Sequence, residues 1–301
     1  MNRTETQIEL AASPAFAASQ RNALWRAGAL VACVLIVYAP VIGHLASQWW
    51  NEPDYSHGFL VPVFSVYLLW RRGDILRQVP RRASWYGMAI LLASLCLLFV
   101  GSLGAELLLQ RISLLGVIVG LTVWFWGWRM LSAVAFPIAL LLLMIPLPGV
   151  IYYQVVFPLQ LVASRLATWI LHAINLFPVL REGNVLVLPS TRLEVAEACS
   201  GLRSVFSLLT IAAIYAYLTE ENNLIRWTLC LLVFPIAVVG NAGRVVFAAI
   251  SVELADASAA EGWAHFLSGL FLFFFSTLLL LLCHAIIKEG THRVALLRGR
   301  A

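Results

Sequence analysis

AHFLSGLFLFFFSTLLLLLCHAII, residues 264–287, is an apolar run with two histidines but no Asp, Glu, Lys or Arg. About 20 apolar residues are enough to span the hydrocarbon core of a bilayer. Backbone polar groups in lipid must bond within the segment, so this run predicts a transmembrane helix. The whole chain has a similar character, because 61% of its 301 residues are hydrophobic and only 12% are charged. Soluble domains carry about a quarter charged residues.

A series of such runs predicts an all-α, polytopic integral membrane protein with about eight transmembrane helices. The predicted spans are residues 25–46, 57–70, 84–102, 107–126, 130–147, 199–218, 228–248 and 264–287. Residues 146–177 are apolar enough for another span, but polar residues such as Arg165 interrupt them. We predict an interfacial or re-entrant segment there, because a ninth crossing would invert everything that follows. Residues 183–198, GNVLVLPSTRLEVAEA, then predict a short extracytoplasmic hairpin around Pro189 and Ser190.

The distribution of basic residues predicts the orientation. Arg and Lys lie in both tails and after the second, fourth and sixth spans, whereas residues 47–58 and 251–262 contain none. The positive-inside rule therefore puts both termini in the cytoplasm, and we expect a multi-pass inner-membrane protein without a cleavable signal peptide. The formal net charge of +5 is explained by this topology, so we expect contact with membrane lipid and no nucleic-acid partner. The predicted organisation is a cytoplasmic tail (1–22), a membrane domain (23–288) and a basic cytoplasmic tail (289–301).

This topology puts three reactive residues near the extracytoplasmic surface of the membrane. Cys199 begins the sixth span, Arg244 lies near the outer end of the seventh, and His265 begins the eighth. A thiol at a helix N-terminus is favoured as thiolate by the helix dipole. A histidine within reach acts as general acid and base, and an arginine stabilises an oxyanion. Together these residues would support acyl transfer through a thioester.

Each of these residues also has an ordinary structural interpretation. A cysteine at a helix edge is usually inert, and an arginine near the end of a span often extends to lipid headgroups. Arg203, four residues after Cys199, shares its helix face. It is an alternative functional arginine, or it pairs with Glu197 or a lipid phosphate.

Six short motifs resemble the exosortase/archaeosortase family, and bacterial exosortases in particular. They run from about Tyr55 to about Gly269, which is most of the chain. In chain order they are YSHGFLVP (55–62), FPLQLVAS (157–164), REGNVLVLP (181–189), EACSGLRS (197–204), NAGR (241–244) and a histidine followed by SG (265–269).

The resemblance implies a cysteine protease or transpeptidase of the inner membrane whose active site faces the periplasm. By this likeness Cys199 is the nucleophile, Arg244 the arginine of the site and His265 the general acid/base. The implied partners are exported proteins with a C-terminal sorting signal, which consists of a Pro-Glu-Pro motif, a membrane helix and a basic cluster. The cleaved protein is released or passed to an unknown acceptor, in connection with extracellular polysaccharide.

Further polar residues are candidates for substrate binding or for support of the site. Asp54, Ser56 and His57, in the first outer loop, would orient the catalytic histidine, receive the substrate motif, or only cap the second span. Arg203 and Asn241 belong to the same candidate group. Arg181 and Arg192 of the hairpin would attract the glutamate of the motif. The favoured interpretation is a solvated hairpin in which Glu182 and Glu194 are their partners.

Two other functions compete with this one. A transporter would carry ionisable residues in mid-span, broken helices and internal repeats. Pro137 and Pro235 interrupt spans, and Arg111 and Arg165 are candidates for charges at depth, but the two halves show no repeat. A non-catalytic scaffold of envelope assembly would tolerate loss of Cys199. We expect no metal and no cofactor, because neither the five cysteines nor the histidines show metal-ligand spacing.

Overall fold

The computed structural model describes residues 14–195, 202–254 and 263–298. The chain divides into two compact units, Met1–Ser47 and Gln48–Ala301. The first helix, α1 (Pro14–Asn51), begins in the first unit and ends in the second. A short 3₁₀ helix follows it at Pro53–Phe59, here called the Pro53–Phe59 turn.

The other elements follow in chain order. The helices are α2 (Leu60–Arg71), α3 (Gly73–Gln78), α4 (Tyr86–Leu103), α5 (Leu107–Trp126), α6 (Trp128–Leu140, extended by a 3₁₀ turn at Leu141–Met144), α7 (Gly149–Ile174), α8 (Leu202–Thr219), α9 (Asn223–Leu254) and α10 (Trp263–Arg298). Between α7 and α8 lie the strands β1 (Leu180–Glu182), β2 (Val185–Val187) and β3 (Arg192–Glu194).

The predicted all-α, polytopic membrane fold is confirmed. Seven helices of the described residues are long and apolar enough to cross a membrane; they are Gly28–Asn51 of α1, α4, α5, α7, α8, α9 and Gly269–Thr291 of α10. Two predicted spans, residues 57–70 and 130–147, are instead the short helices α2 and α6, because 3₁₀ turns occupy one end of each segment. The segment predicted to be interfacial forms α7, a continuous helix of 26 residues.

Helices α4 and α5 form a tight antiparallel pair through small residues. The buried residues of α4 are Gly87, Ser94 and Gly101, which repeat every seven positions along one face. A Cβ added to Gly87 would lie 2.6 Å from the Cα of Trp124 in α5, and one added to Gly120 would lie 2.9 Å from the amide nitrogen of Leu91. Small residues let helix backbones approach closely, and this contact area replaces the hydrophobic driving force that lipid does not supply.

We predict that Gly87→Leu separates this pair, because its side chain meets backbone atoms of α5 that have no room to move. The expected cost is about 3 kcal/mol, the upper end for overpacking. The measurement is the thermal unfolding midpoint of the detergent-purified chain. Gly290→Leu is the matched control, since a Cβ at this helical glycine of α10 meets nothing within 4 Å. Equal midpoints for the two variants would contradict the packing argument.

Helix α7 contacts the Pro53–Phe59 turn near its start and packs on the last turns of α9 along its C-terminal half. The chain reaches it from the 3₁₀ turn after α6, where the Leu143 carbonyl bonds to His57 of the Pro53–Phe59 turn. The chain leaves it towards α8, where Arg203 also bonds to the Pro53–Phe59 turn. Its length and composition would allow α7 to cross a membrane. The interfacial or re-entrant location of this segment stays a prediction.

The predicted hairpin is present and has one additional strand. Strand β2 pairs antiparallel with β3, as the sequence predicted, and also with β1. The sheet packs on the C-terminal half of α7 and the last turns of α9, in a cluster that contains Leu171, Leu186 and Val252. The hydroxyl of Ser190 donates to Glu253 at 2.7 Å. The sheet therefore lies at one end of the α8–α10 bundle. This end contains the start of α8 and the end of α9, and we call it the sheet end.

The opposite end of the bundle, at the α8–α9 loop, is the loop end. The guanidinium groups of Arg72 and Arg226 lie 4.6 Å and 5.0 Å from the centre of the Tyr217 ring. The Lys288 ammonium lies 3.7 Å from the Glu220 carboxylate. Basic residues from the segments that the sequence assigns to the cytoplasm thus meet at this one end.

Candidate active site at the sheet end

The Pro53–Phe59 turn is anchored to the end of α6. The indole N–H of Trp49 donates to the Met144 carbonyl at 2.9 Å, and the ring of Trp49 lies edge-on to Phe59. Gly58 passes so close to Trp49 that a Cβ there would lie 2.5 Å from its Cδ1. These contacts fix the turn against two helices, so its polar side chains have a defined position.

Asp54 connects three elements of the candidate site. One carboxylate oxygen accepts from Nε of Arg203 in the first turn of α8 at 2.9 Å, and the other accepts from the Tyr152 hydroxyl of α7 at 2.7 Å. The side chains of Asp54 and Arg203 are 20% and 41% exposed. The sequence does not predict Asp54 as a partner of Arg203, since it offers only Glu197 or a lipid phosphate. The structure gives Arg203 an ion pair with a residue 149 positions away.

His57 is buried against α8 rather than open to solvent. Its Nε2–H donates to the Leu143 carbonyl at 3.1 Å, and its ring stacks on Phe206 with centroids 6.0 Å apart. Burial lowers the pKa of His57, because the charged imidazolium loses its hydration there. Burial likewise raises the pKa of the neighbouring Tyr55 to about 12. Both groups are therefore neutral at physiological pH and serve to position the start of α8.

Ser56 and Asn241 are the two other candidates. The hydroxyl of Ser56 is exposed and donates to the Pro53 carbonyl at 2.9 Å, so it closes its own turn. Asn241 is buried in α9, 5% exposed, one turn before Arg244.

Arg244 lies against the N-terminal part of α10. A Cβ added to Gly269 would lie 3.4 Å from Nη2 and 3.5 Å from Cζ of Arg244, so the guanidinium covers the bare backbone of that glycine. Gly269 is one helical turn after His265. A side chain at residue 269 would occupy the space in which the arginine lies.

Arg244 and the start of α8 share one level. Helices α8 and α10 run in the same direction and are joined at the loop end by a hydrogen bond of 2.8 Å between Tyr215 and His284. At about 1.5 Å per residue, Leu202 lies about 20 Å from Tyr215, and Gly269 lies about 22 Å from His284. The first residue of α8 and the guanidinium of Arg244 are thus at the same height in the bundle.

Cys199 lies outside the described residues. The described chain ends before it at Val195, which is buried among the sheet and the last turns of α9, and resumes at Leu202. His265 lies in the first turn of α10, and its side chain is outside the described part. The structure therefore describes the flanks of the proposed nucleophile, the position of Arg244 and the backbone that carries the histidine.

The hairpin arginines have partners within the sheet. Nη1 of Arg181 donates to the Gly183 carbonyl at 2.8 Å. Arg192 lies 4.0 Å from Glu182, and both side chains are more than half exposed. Glu194 interacts with Asn184 instead. These contacts agree with the favoured interpretation of a solvated hairpin.

Arg111 is a polar residue of this region that sequence reasoning did not assign to the site. It is 3% exposed, and its Nη2 donates to the side-chain oxygen of Gln48 at 2.7 Å. The available signal was a charged residue inside an apolar run, which is a functional-site hypothesis by default. Arg165, the other arginine predicted at depth, is exposed on α7. The described residues contain no group of His, Cys, Asp and Glu side chains able to hold a metal ion.

We predict that Asp54 and Arg203 are energetically coupled. A double-mutant cycle with Asp54→Asn and Arg203→Gln is expected to give a coupling energy of about 1 kcal/mol, because the pair is partly buried and well aligned. The measurement is thermal unfolding of the four purified chains. The exposed pair Arg192 and Glu182 is the control, with an expected coupling below about 0.5 kcal/mol. Equal coupling in the two pairs would contradict a special role for Asp54.

The fold defines the class of protein, a multi-pass helical membrane protein. Its candidate site is a polar cluster at one end of the bundle, where several helices begin. The chain matches the family model of the transmembrane exosortases over residues 49–282, and it belongs to that family. Comparison with curated proteins and with solved structures finds no match.

Proposed function

We propose that this membrane exosortase is a cysteine-dependent protease or transpeptidase that cleaves the C-terminal sorting signal of exported proteins. The observation that carries the proposal is the common level of Arg244, Gly269 and the start of α8 at the sheet end. Cys199 is three residues before Leu202, and three residues of chain span at most about 11 Å. A nucleophile at position 199 is therefore within reach of the level at which Arg244 lies.

The proposed reaction has two steps. The Cys199 thiolate attacks the scissile carbonyl carbon, Arg244 stabilises the oxyanion, and His265 protonates the leaving amine as the C–N bond breaks. The product is a thioester with Cys199. Water or the amine of an acceptor then attacks the thioester, loses its proton to His265, and releases the thiolate. The helix dipole of α8 favours the thiolate form at its N-terminus.

The proposed location is the inner membrane, with the sheet end in the periplasm and both termini in the cytoplasm. The meeting of Arg72, Arg226 and Lys288 at the loop end supports this orientation, since basic residues concentrate on the cytoplasmic side. A substrate whose membrane helix ends in a cytoplasmic basic cluster would then carry its Pro-Glu-Pro motif at the sheet end.

The proposal is tested by a processing assay. The full chain is co-expressed with an exported reporter that ends in a Pro-Glu-Pro motif, a membrane helix and a basic cluster, and reporter size is followed on a gel. We expect a shorter reporter with the wild-type chain and no change when the motif is Ala-Ala-Ala. An unshortened reporter in both cases would overturn the proposed substrate class. Shortening of both would show that another protease cuts the reporter.

A further inference from the structure

Arg111 is a buried cation whose hydrogen-bonding capacity is not filled. Its Nε is buried and has no acceptor among the described residues, and its one assigned bond goes to the neutral amide of Gln48. No carboxylate of the described residues lies within 4.0 Å of it. A buried guanidinium normally pairs with an anion, because its charge has lost most of its hydration. Arg111 therefore points to an anionic ligand.

A cavity opens beside this guanidinium. Its volume is about 250 Å³, and it is lined by Arg111, Gln48 and the segment Pro146–Gly149. A second cavity of about 520 Å³ shares Gln48, Leu147 and Gly149 with it and continues to Asp54. The two cavities are neighbours, and together we call them the Arg111 cleft; Arg111 lines one of them and Asp54 lines the other.

The lining of the cleft matches a peptide better than a phosphate. Among the described residues that line the cleft, Arg111 is the single Arg or Lys, so it offers one planar fork, which fits one carboxylate. Tyr55, Tyr152 and Tyr153 line the larger cavity. Aromatic walls of this kind bind proline-rich extended peptides. The geometry thus favours an acidic residue flanked by prolines.

We infer that the Arg111 cleft binds the acidic residue of the substrate motif, with the Arg111 guanidinium on its carboxylate and the tyrosines against the neighbouring prolines. The inference rests on the proposed function, to which it adds a specificity-determining site. Gln48 lies between Arg111 and the exposed Glu52, accepting from the first and donating to the second at 3.0 Å. In the occupied cleft the substrate carboxylate supplies the anionic partner that the Arg111 guanidinium lacks among the described residues.

The charges at the rim do not prevent this binding. Glu52 and Glu106 also line the cleft, but both are exposed, and water and salt screen their repulsion. Asp54 is neutralised by Arg203. Arg111 is screened far less, because it is buried.

Binding is measured first, so that the result does not depend on catalysis. The full-length Cys199→Ala chain in detergent is titrated with fluorescent peptides that contain Pro-Glu-Pro or Pro-Gln-Pro. We expect the glutamate peptide to bind at least tenfold more tightly, and Arg111→Gln to abolish this preference. Arg129→Gln is the control, because it removes an exposed arginine at the start of α6. Glycerol 3-phosphate serves as the probe for a lipid headgroup.

Processing is measured second, with the two motifs placed in the reporter. We expect the wild-type chain to prefer Pro-Glu-Pro at least tenfold, and the Arg111→Gln chain to process both reporters at one reduced rate. If Arg111→Gln does not fold, Arg111→Lys is used, and a weakened preference is expected because the planar fork is lost.

The outcomes separate the inference from the proposed activity. Arg111-dependent peptide binding without any processing supports the cleft and contradicts the activity. Processing with an undiminished preference in Arg111→Gln overturns the inference and leaves the activity in place. Binding of glycerol 3-phosphate but of neither peptide would also overturn it, and would assign Arg111 to a lipid headgroup.

Discussion

Replacement of Cys199 by alanine is expected to abolish reporter processing while the protein stays in the membrane at its normal level. The sulfur is the proposed nucleophile, and enzymes that lose a nucleophile typically lose three or more orders of magnitude in rate. Cys199→Ser is also expected to be inactive, because a hydroxyl is far less acidic than a thiol and the site is suited to a thiolate. The measurement is the time course of reporter shortening on a gel.

The other cysteines provide the controls for this result. Cys230 in α9 and Cys283 in α10 are half-buried in the bundle, and Cys283 packs against a cluster of buried apolar residues. Alanine at either position is expected to change the processing rate less than threefold, because only packing is altered. Normal processing by Cys199→Ala would reject the cysteine mechanism and favour the scaffold or transporter alternatives.

Replacement of Arg244 by alanine is expected to lower the processing rate by about two to three orders of magnitude, the usual cost of losing an oxyanion donor. Arg244→Lys is expected to recover little, since an ammonium does not reproduce the planar fork that covers Gly269. Arg165→Ala is the control, because this arginine is exposed on α7 and is not among the described residues that line the Arg111 cleft.

Gly269 provides a second, independent test of the same position. Gly269→Leu leaves Arg244 in the chain but fills the space that its guanidinium occupies. We expect a loss of processing close to that of Arg244→Ala, and a much smaller loss for Gly269→Ala, whose single methyl group would make ordinary contact at 3.4 Å. A wild-type rate for Gly269→Leu would show that the observed position of Arg244 is not needed for the reaction.

Local patterns were sufficient to predict the framework. The run at 107–126 coincides with α5, because a long apolar segment in lipid has only the helix as a stable form. The β-rich residues on both sides of Pro189 and Ser190 pair as predicted, because a short connection between two such runs favours antiparallel pairing. The sequence does not predict strand β1, since Leu180–Glu182 contains no β-branched or aromatic residue.

Local patterns were not sufficient to predict the partners of charged residues. The sequence offers Arg203 a functional role, Glu197 six residues before it, or a lipid phosphate, but in the structure it binds Asp54 of the Pro53–Phe59 turn. The sequence predicts Arg111 as a charge at depth, and only the fold puts it on a cavity that neighbours the one lined by Asp54. Partners that lie far apart in sequence meet through helix packing, which leaves no local signal in either segment.

The sequence by itself determined the membrane class, the helical framework, the family resemblance and the three residues proposed for catalysis, because apolar length, charge asymmetry and short motifs are local properties. The tertiary structure decided that the Arg244 guanidinium covers Gly269 and that Asp54 links α7 to α8. These features depend on which helix faces meet. That choice is made by packing of small residues and by burial of polar groups across the whole bundle.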